Sequence, residues 1–318
     1  MRKIKFKRTG IEVTELCFGA LPMGPAQKNM LPEDSAEVLS EALRLGVNFV
    51  DTAQMYKTYE PIRMAIEKTG IRPVIASKSA ATTYEEMESA IVDACKKMGV
   101  DYVDIFLLHA ARSEENVFDN RAGAVQCLID YKQKGVIKAV GISTHRVQTV
   151  VQAAMIPDID IVFPILNKIG MGILGGTRED MESAIRECAA QDKDVYIMKA
   201  LAGGNLIDDY KDAIDYVRTF SEGHMPIAMG MTSVDEVRMN VKLFNNEDVS
   251  EQSAKIVRQG KKFYIVPSLC KRCGQCAEAC HSRMITRHDD GVFSINESQC
   301  LRCGYCVTAC PQFAIRMV

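Results

Sequence analysis

Short apolar segments alternate with amphipathic stretches from residue 15 to about residue 244. Eight of the apolar segments are nearly continuous in hydrophobicity, as buried parallel strands are, and we predict a strand at each. They are ELCFGA (15–20), VNFVDTA (47–53), PVIASKS (73–79), VDIFLLHA (103–110), KAVGISTH (138–145), DIVFPIL (160–166), DVYIMKAL (194–201) and PIAMGM (226–231). Helical patterns fit between them. Segment 84–98, for example, has possible N-caps at Thr82 and Thr83 and a stop signal at Gly99.

This alternation predicts a closed (β/α)₈ TIM barrel, because eight strand–helix units fit within about 230 residues. An open dinucleotide-binding sheet would usually carry G-x-G-x-x-G after its first strand, and FGALPMG does not match that pattern. Before the first barrel strand, the pattern predicts a hairpin around Thr9 and Gly10 that could close the bottom of the barrel.

Composition and charge narrow the range of partners. The chain has 318 residues, of which 47% are hydrophobic and 25% charged, and its formal net charge is −2. Acidic and basic residues are intermixed without a basic stripe, so we expect no nucleic-acid partner. No stretch approaches the ~18 apolar residues of a membrane span, and the basic start lacks a following hydrophobic region. We therefore expect a cytoplasmic protein without membrane contact.

Cysteine usage divides the chain into two parts. Of the twelve cysteines, four are scattered over residues 1–269 and eight follow Leu269. We predict a barrel domain at 1–260 and a small C-terminal domain at 261–318. Without a secretory signal, closely spaced cysteines indicate metal rather than disulfides. The four scattered cysteines, including Cys95 and Cys188 on helical apolar faces, are expected to fill the core.

The C-terminal part contains two copies of C-x₂-C-x₂-C-x₃-C, thirty residues apart: CKRCGQCAEACH (270–281) and CLRCGYCVTACP (300–311). Thiolates at this spacing can wrap a [4Fe–4S] cubane from a tight loop, and Gly274 and Gly304 recur where the backbone must turn. Zinc sites use four ligands in two pairs, so the repeated run of four disfavours zinc.

These repeats resemble the small bacterial ferredoxins with two [4Fe–4S] clusters, which implies a small α+β ferredoxin-like domain. In that pattern the fourth cysteine of each run crosses to the other cluster. The resemblance therefore implies one cluster on Cys270, Cys273, Cys276 and Cys310, and another on Cys300, Cys303, Cys306 and Cys280. His281 stands where the second copy has Pro311, and either tunes a cluster or is a surface substitution. The Asp-Gly pair in HDDGVFSIN predicts a turn between two short strands.

Four polar residues stand at or just after the ends of predicted strands, where barrel enzymes place their active sites. They are Asp51, Tyr56, Lys78 and His109. Singly, each has an ordinary explanation as a helix cap, a solvated side chain or a residue at the core edge. Together, in DTAQMY, ASKS and LLHA, they resemble the catalytic tetrad of the aldo-keto reductases, a likeness that extends through about residue 244.

The resemblance implies reduction of a carbonyl, or oxidation of an alcohol in reverse, with a nicotinamide cofactor. Tyr56 would donate the proton to the developing alkoxide. Lys78 would bring the pKa of Tyr56 toward neutrality, and Asp51 would keep Lys78 charged and in place. His109 would orient the substrate oxygen by a hydrogen bond.

The resemblance also implies a set of cofactor contacts. They are Asp51, Ser143, Asn167, Lys199, Gly203, Gly230, Met231, Thr232, Glu236 and Asn240. Ser143, in GIST, looks like the family's site for the nicotinamide carboxamide, and Asn167 replaces a glutamine that lies under the nicotinamide. Lys199 and Gly203 belong to MKALAGG, which is similar to a loop that lies against the cofactor's pyrophosphate.

The segment GMTSVDEVRMN departs from the family's NADP pattern, in which a Lys and an Arg bind the 2′-phosphate. Gly230 and Glu236 occupy those positions here, while Asn240 matches an adenine-contacting asparagine. A carboxylate repels a 2′-phosphate and accepts hydrogen bonds from ribose hydroxyls, so we expect NAD(H) in preference to NADP(H). Arg238, two residues from Glu236, leaves NADP(H) open.

The preferred hypothesis is an aldo-keto reductase barrel, of alcohol dehydrogenase type, fused to a two-cluster ferredoxin domain. It would act on a small carbonyl or alcohol and could exchange electrons with an external carrier such as ferredoxin. The main alternative is an electron-transfer iron–sulfur protein in which the barrel is chiefly a scaffold. In a third, the clusters only hold together a C-terminal domain too small to fold alone.

Overall fold

The computed structural model describes residues 1–112, 116–250, 257, 261–301 and 303–317. The chain begins with an antiparallel hairpin of β1 (Lys3–Lys5) and β2 (Glu12–Thr14). Thr9, in its turn, donates its backbone N–H and its hydroxyl to Asp194, the first residue of a barrel strand, at 2.9 and 2.8 Å. The hairpin therefore covers the bottom of the barrel, as the sequence predicts.

Parallel strands form a closed ring in the order of the sequence. They are β3 (Leu16–Gly19), β4 (Phe49–Asp51), β5 (Val74–Ser79), β6 (Val103–Ala110), β7 (Ile137–Thr144), β8 (Ile161–Pro164), β9 (Asp194–Val195), β10 (Ile197–Met198) and β11 (Ile227–Gly230). Strands β9 and β10 are two parts of one strand, separated by Tyr196. Because β9 pairs with β8, β10 with β11 and β11 with β3, the ring closes on the eight predicted strands.

Helices follow the strands and cover the outside of the barrel. They are α1 (Pro32–Arg44), α2 (Tyr59–Thr69), α3 (Tyr84–Met98), α4 (Val117–Asn120), α5 (Ala122–Gln133), α6 (Val147–Met155), α7 (Arg178–Ala190), α8 (Tyr210–Phe220) and α9 (Val234–Phe244). In α3, Thr83 forms a capping box with Glu86, and Gly99 ends the helix in a left-handed conformation. Within the described residues, no helix is long and apolar enough to cross a membrane.

The barrel interior is a continuous apolar core. Cys17, Cys127 and Cys188 are fully buried in it, and Cys95 packs against it partly buried. The expectation that these cysteines fill the core is confirmed.

The C-terminal part, called the tail here (residues 261–318), has a small core of its own. Strand β12 (Phe263–Ile265) pairs with β15 (Ile315–Met317), and β13 (Ile285–Arg287) pairs with β14 (Phe293–Ile295). The short helices Gln275–Glu278 and Tyr305–Thr308 each follow a left-handed glycine, Gly274 or Gly304. The predicted Asp-Gly turn lies between β13 and β14. The predicted domain boundary after residue 260 falls at residues outside the described ranges.

Candidate functional site

An ion pair lies at the C-terminal ends of β4 and β5. The Lys78 Nζ donates to both oxygens of Asp51, at 2.7 and 2.8 Å, and to the carbonyl of Thr52 at 2.8 Å. Both side chains are buried. Burial raises the pKa of Asp51 and lowers that of Lys78, and their attraction opposes both shifts. The three hydrogen bonds that the ammonium donates favour the charged pair.

Tyr56 and His109 lie beside this pair, so the structure brings together all four predicted catalytic residues. Their rings meet edge to face with centroids 5.9 Å apart, and the Lys78 Nζ lies 4.8 Å from the Tyr56 centroid. Burial, and then the charge of Asp51, raises the pKa of Tyr56 well above 10. The expectation that Lys78 brings the pKa of Tyr56 toward neutrality is wrong in this structure, because burial outweighs any effect of the ammonium, which bonds to Asp51 and Thr52. Tyr56 is therefore a protonated phenol at neutral pH.

His109 is neutral and has a free hydrogen-bonding atom. Burial, followed by the nearby charges of Lys78, Lys199 and Arg121, lowers its pKa to about 3. Strand pairing sets His109 opposite Ser143. The His109 Nδ1 and the Ser143 Oγ are both buried without a hydrogen-bond partner among the described residues. Because buried polar atoms are normally satisfied, both atoms fit a site that a bound polar molecule completes.

Two aromatic residues that the sequence analysis did not identify, Tyr196 and Phe163, lie next to the ion pair. The Tyr196 hydroxyl donates to Asp51 Oδ2 at 3.0 Å, and its ring stacks on Phe163 with centroids 3.8 Å apart. Tyr196 separates β9 from β10. It reads as an ordinary apolar strand residue in the sequence, and only the closed ring brings it to Asp51.

A cleft with a cavity volume of about 150 Å³ begins at Asp51 and Tyr56. Seven predicted site residues line it: Asp51, Tyr56, Lys199, Gly203, Gly230, Glu236 and Asn240. A Cβ at Gly230 would lie 2.5 Å from Pro22 Cγ, so a side chain at this position would require Pro22 to move.

The other predicted cofactor residues do not line this cleft. Ser143 is buried in β7 and Met231 directly follows β11. The Asn167 side chain is held by Met171, accepting from its N–H and donating to its carbonyl, both at 3.0 Å. Asn240, which does line the cleft, donates to the Glu236 carbonyl at 2.8 Å and accepts from the Tyr210 hydroxyl.

Glu236 is already bonded within the protein. Its carboxylate accepts from the Thr232 N–H and hydroxyl, at 2.6 and 2.9 Å, and forms an ion pair with Lys261. The Lys28 Nζ lies 3.2 Å from the Thr232 hydroxyl. Sequence reasoning missed both lysines because they are distant in the chain. Arg238, in contrast, pairs with Glu41 at 2.8 Å on the outside of the barrel.

The tail forms one wall of the same cleft. Arg316 and Met317 of β15 line it together with Lys261. A Cβ at Gly203 would lie 2.7 Å from Arg316 Cδ, and one at Gly204 would lie 2.6 Å from Met317. These glycines are therefore needed where the barrel loop meets the tail, a contact that the sequence did not predict.

The tail thiols fall into two groups. Cys280, Cys300, Cys303 and Cys306 line one small cavity. Cys276 has Cys310, Cys270 and Cys273 as electrostatic neighbours. These are the two sets that the crossed pattern predicts. In the described part of the chain, no three Cys, His, Asp or Glu side chains converge closely enough for a single metal ion.

Backbone N–H groups point at several of these sulfurs. Arg272 donates to Cys270 at 3.4 Å, and the equivalent bonds of the two repeats run from Met284 to Cys280 at 3.3 Å and from Ala314 to Cys310 at 3.4 Å. Such bonds stabilise thiolates. His281 is exposed, with its ring centroid 4.8 Å from that of Tyr305. Of its two explanations, the surface position fits this geometry better.

Two family comparisons match this chain. Residues 15–226 match the aldo/keto reductase family, and residues 249–315 match the 4Fe-4S dicluster domain. Among curated proteins, it is similar to the uncharacterized oxidoreductase YqkF of Bacillus subtilis, at 27% identity over 46% of this chain and 50% of that protein. Methylglyoxal reductase DkgA of Escherichia coli is 25% identical over 43% of this chain and 49% of its own. The chain thus spans about half the length of these relatives.

Solved structures show the same fold. The holo form of aldo-keto reductase AKR11C1 from Bacillus halodurans superimposes with a TM-score of 0.65 at 18% identity, covering 81% of this chain and 96% of the other. An aldo-keto reductase structure from Pseudomonas aeruginosa gives 0.64 at 21% identity, covering 77% and 94%. At these identities the likeness concerns the fold.

Proposed function

Because the chain belongs to the aldo/keto reductase family and carries an iron–sulfur tail of the 4Fe-4S dicluster type, we propose that it reversibly reduces a carbonyl with a nicotinamide cofactor. One observation carries this proposal. The buried Asp51–Lys78 pair lies beside a protonated Tyr56 and a neutral His109, and Asp51 and Tyr56 line the cleft that continues along the barrel mouth to the tail.

Each member of the tetrad has a role that follows from its surroundings. Tyr56 donates its proton to the developing alkoxide, and its raised pKa keeps that proton in place until the oxygen becomes basic. His109, being neutral, fixes the carbonyl oxygen by a hydrogen bond. Asp51 holds Lys78, whose positive charge stabilises the phenolate that remains.

A bound nicotinamide would supply the hydride. Its carboxamide would bond to the Ser143 hydroxyl, which has no partner among the residues that the structure describes. Asn167 would contact the ring from the loop that Met171 fixes, and Lys199 and Gly203 would face the diphosphate. Gly230, Met231, Thr232, Glu236 and Asn240 would surround the adenosine.

We propose that NAD(H) is preferred to NADP(H). The Glu236 carboxylate faces the cleft and repels a 2′-phosphate, and its ion pair keeps Lys261 occupied. Arg238 is directed to Glu41 and supplies no phosphate contact. Glu236 thus acts mainly by charge, since its oxygens are already bonded to Thr232.

The tail would hold two [4Fe–4S] clusters on the two thiol groups described above, and the clusters would supply single-electron transfer when bound. Cys273 and Cys303 are exposed, which would suit exchange with an external carrier such as ferredoxin. The cytoplasmic location stays a prediction.

The relatives suggest a substrate class. DkgA of Escherichia coli is named a methylglyoxal reductase. We propose that this chain also reduces small aldehydes and ketones.

Anaerobic purification followed by a panel of carbonyls and alcohols, with NAD(H) and NADP(H), tests the proposal. Turnover with NADH that exceeds turnover with NADPH is the expected result. A protein that binds neither dinucleotide would instead favour the alternative in which the barrel is a scaffold for electron transfer.

A further inference from the structure

Three cations gather where the tail meets the barrel, and we call this group the seam: Lys199 after β10, Arg112 after β6, and Arg316 in β15. Arg316 donates to the Ile315 carbonyl at 3.1 Å and Arg112 to the Gln312 carbonyl. The Lys199 ammonium has no hydrogen-bond or ion-pair partner within the described ranges. In the same part of the chain, no carboxylate pairs with any of the three.

The seam cations repel one another in a poorly hydrated place. Burial, followed by the charges of Arg316 and Arg112, lowers the pKa of Lys199 well below its usual value. Burial also lowers the pKa of Arg316 to about 10. His145 lies close to all three cations and is kept neutral by burial and by their charges. Arg316 is buried, whereas Lys199 and Arg112 are partly exposed. Cations that gather without a carboxylate partner repel one another, so their clustering indicates an anion that completes the site.

Backbone strain fixes the loop that carries Lys199. Lys199 and Ala202 both have left-handed φ values, 62° and 48°. Such conformations are costly for residues with a Cβ and persist mainly where the surrounding structure imposes them, often at ligand sites. Glycine at 203 then allows Arg316 to approach the loop.

Two observations connect the seam cations with the catalytic cleft. Lys199 and Arg316 line the same cleft as Tyr56. Both pack on the Phe313 ring, with the Arg316 guanidinium 3.6 Å and the Lys199 Nζ 5.5 Å from its centroid. This ring supports the cations without neutralising them.

The Cys310 thiol is the acidic group whose charge would raise the pKa of both Arg112 and Arg316. A cluster on Cys310 could therefore be the counter-charge of these two arginines. It does not explain Lys199, whose charged neighbours are Arg316, Arg112 and Lys78.

We propose that Lys199 and Arg316 form an oxyanion site, shared by barrel and tail, that binds the carboxylate or phosphate of a carbonyl substrate beside Tyr56. This names a substrate class for the proposed function, on which it rests. A guanidinium matches two oxygens of such a group at once, and the ammonium adds a point charge. The diphosphate of a bound dinucleotide offers the same chemistry, so the experiment must separate the two sources.

A binding measurement tests the site without turnover. Calorimetric titration of the anaerobically purified, cluster-loaded protein with malonate and with inorganic pyrophosphate should show binding by the wild type. Arg316→Gln and Lys199→Met should each weaken it by about tenfold, equivalent to about 1.4 kcal/mol, because each removes a charged hydrogen-bond donor to the anion. Arg316→Lys should retain part of it. The surface change Arg186→Gln is the matched control and should have no effect. Iron content and circular dichroism establish that each variant is folded.

Kinetics then assign the source of the anion. If the substrate supplies it, both variants should lower kcat/KM for para-carboxybenzaldehyde about tenfold more than for neutral para-nitrobenzaldehyde. Equal losses on both aldehydes with weaker NADH binding would assign the site to the dinucleotide and overturn the substrate class.

Anion binding that is unchanged in both variants would overturn the site itself, above all if the cluster reduction potential shifts in Arg316→Gln. Anion binding without any carbonyl reduction would refute the proposed function and leave the oxyanion site standing.

Discussion

The barrel and the tail hold their functional groups in different ways. In the barrel, Asp51, Lys78 and Tyr196 bond to one another inside a continuous apolar core. In the tail, the eight thiols fall into two groups, one of which lines a small cavity, and few apolar side chains pack around them. The barrel site is preformed by protein contacts alone, whereas the tail depends on the groups that its thiols bind.

The two repeats of the tail differ in a related way. Arg283 and Phe313 occupy equivalent positions thirty residues apart, and both have left-handed backbones. Phe313 is buried against the barrel, while Arg283 stands outside it. The second repeat thus supplies Phe313 and Arg316 to the seam. The 4Fe-4S dicluster part therefore also closes one side of the cleft.

The largest effect on carbonyl reduction should come from a substitution in the barrel. Tyr56→Phe removes one hydroxyl from the cleft and should lower carbonyl reduction by about 10²–10⁴. Iron content and cluster spectra should not change, because Tyr56 does not contact the thiols. Steady-state turnover and iron analysis measure the two. Undiminished turnover would refute the role of Tyr56.

A cysteine substitution in the tail should have the opposite result and lower the iron content. Cys306→Ala should remove one cluster, hence about half of the iron, and loosen the tail, because metal binding and folding are coupled there. Cys127→Ala, in the barrel core, is the matched control. It should keep all iron and destabilise the protein by about 1 kcal/mol through a small cavity. Iron analysis and thermal unfolding measure both, and equal iron in the two variants would contradict the assignment of Cys306.

These contrasts show what the sequence could predict. The strands, the tetrad and the cysteine repeats each have a local pattern; the eight predicted strands form the barrel, and the four tetrad residues lie together in the structure. The raised pKa of Tyr56 was not predicted, because it results from burial by residues all around the mouth of the barrel. Lys261, Tyr196 and Arg316 were missed for a similar reason. Each acts across a contact between segments far apart in the chain, which no local spacing records.

A substitution at the contact between the barrel and the tail should give a smaller effect, on the choice of cofactor. Glu236→Gln keeps a hydrogen-bond acceptor for Thr232 but frees Lys261, with Lys28 nearby, to attract a 2′-phosphate. We expect kcat/KM for NADPH to rise about tenfold relative to NADH, equivalent to about 1.4 kcal/mol.

Asp235→Asn, exposed on the same helix turn, should leave the ratio unchanged. A ratio that does not move in Glu236→Gln would show that the carboxylate does not select the cofactor.

The smallest effect concerns pH. Reduction requires neutral His109, whose pKa is about 3, and protonated Tyr56, whose pKa lies above 10. Activity should therefore be lost only as pH falls through the first value or rises through the second. From about pH 5 to about pH 9, kcat/KM should change less than about twofold. A steep change inside this interval would contradict the protonation states assigned to the tetrad.

The most direct test of hydride transfer in the barrel follows the hydride of NADH and the electrons of the clusters in one experiment. Anaerobic, oxidised protein is mixed with NADH deuterated at the reactive ring carbon, each stereoisomer in turn, first without substrate and then with para-nitrobenzaldehyde. The product is analysed by mass spectrometry, and the clusters by electron paramagnetic resonance. Nicotinamide gives up two electrons as hydride whereas each cluster accepts one, and no flavin motif is recognisable in the sequence. Our account predicts deuterium on the alcohol carbon from one stereoisomer, with no reduced-cluster signal before substrate is added. Rapid cluster reduction by NADH, with no deuterium in the alcohol, would contradict hydride transfer in the barrel.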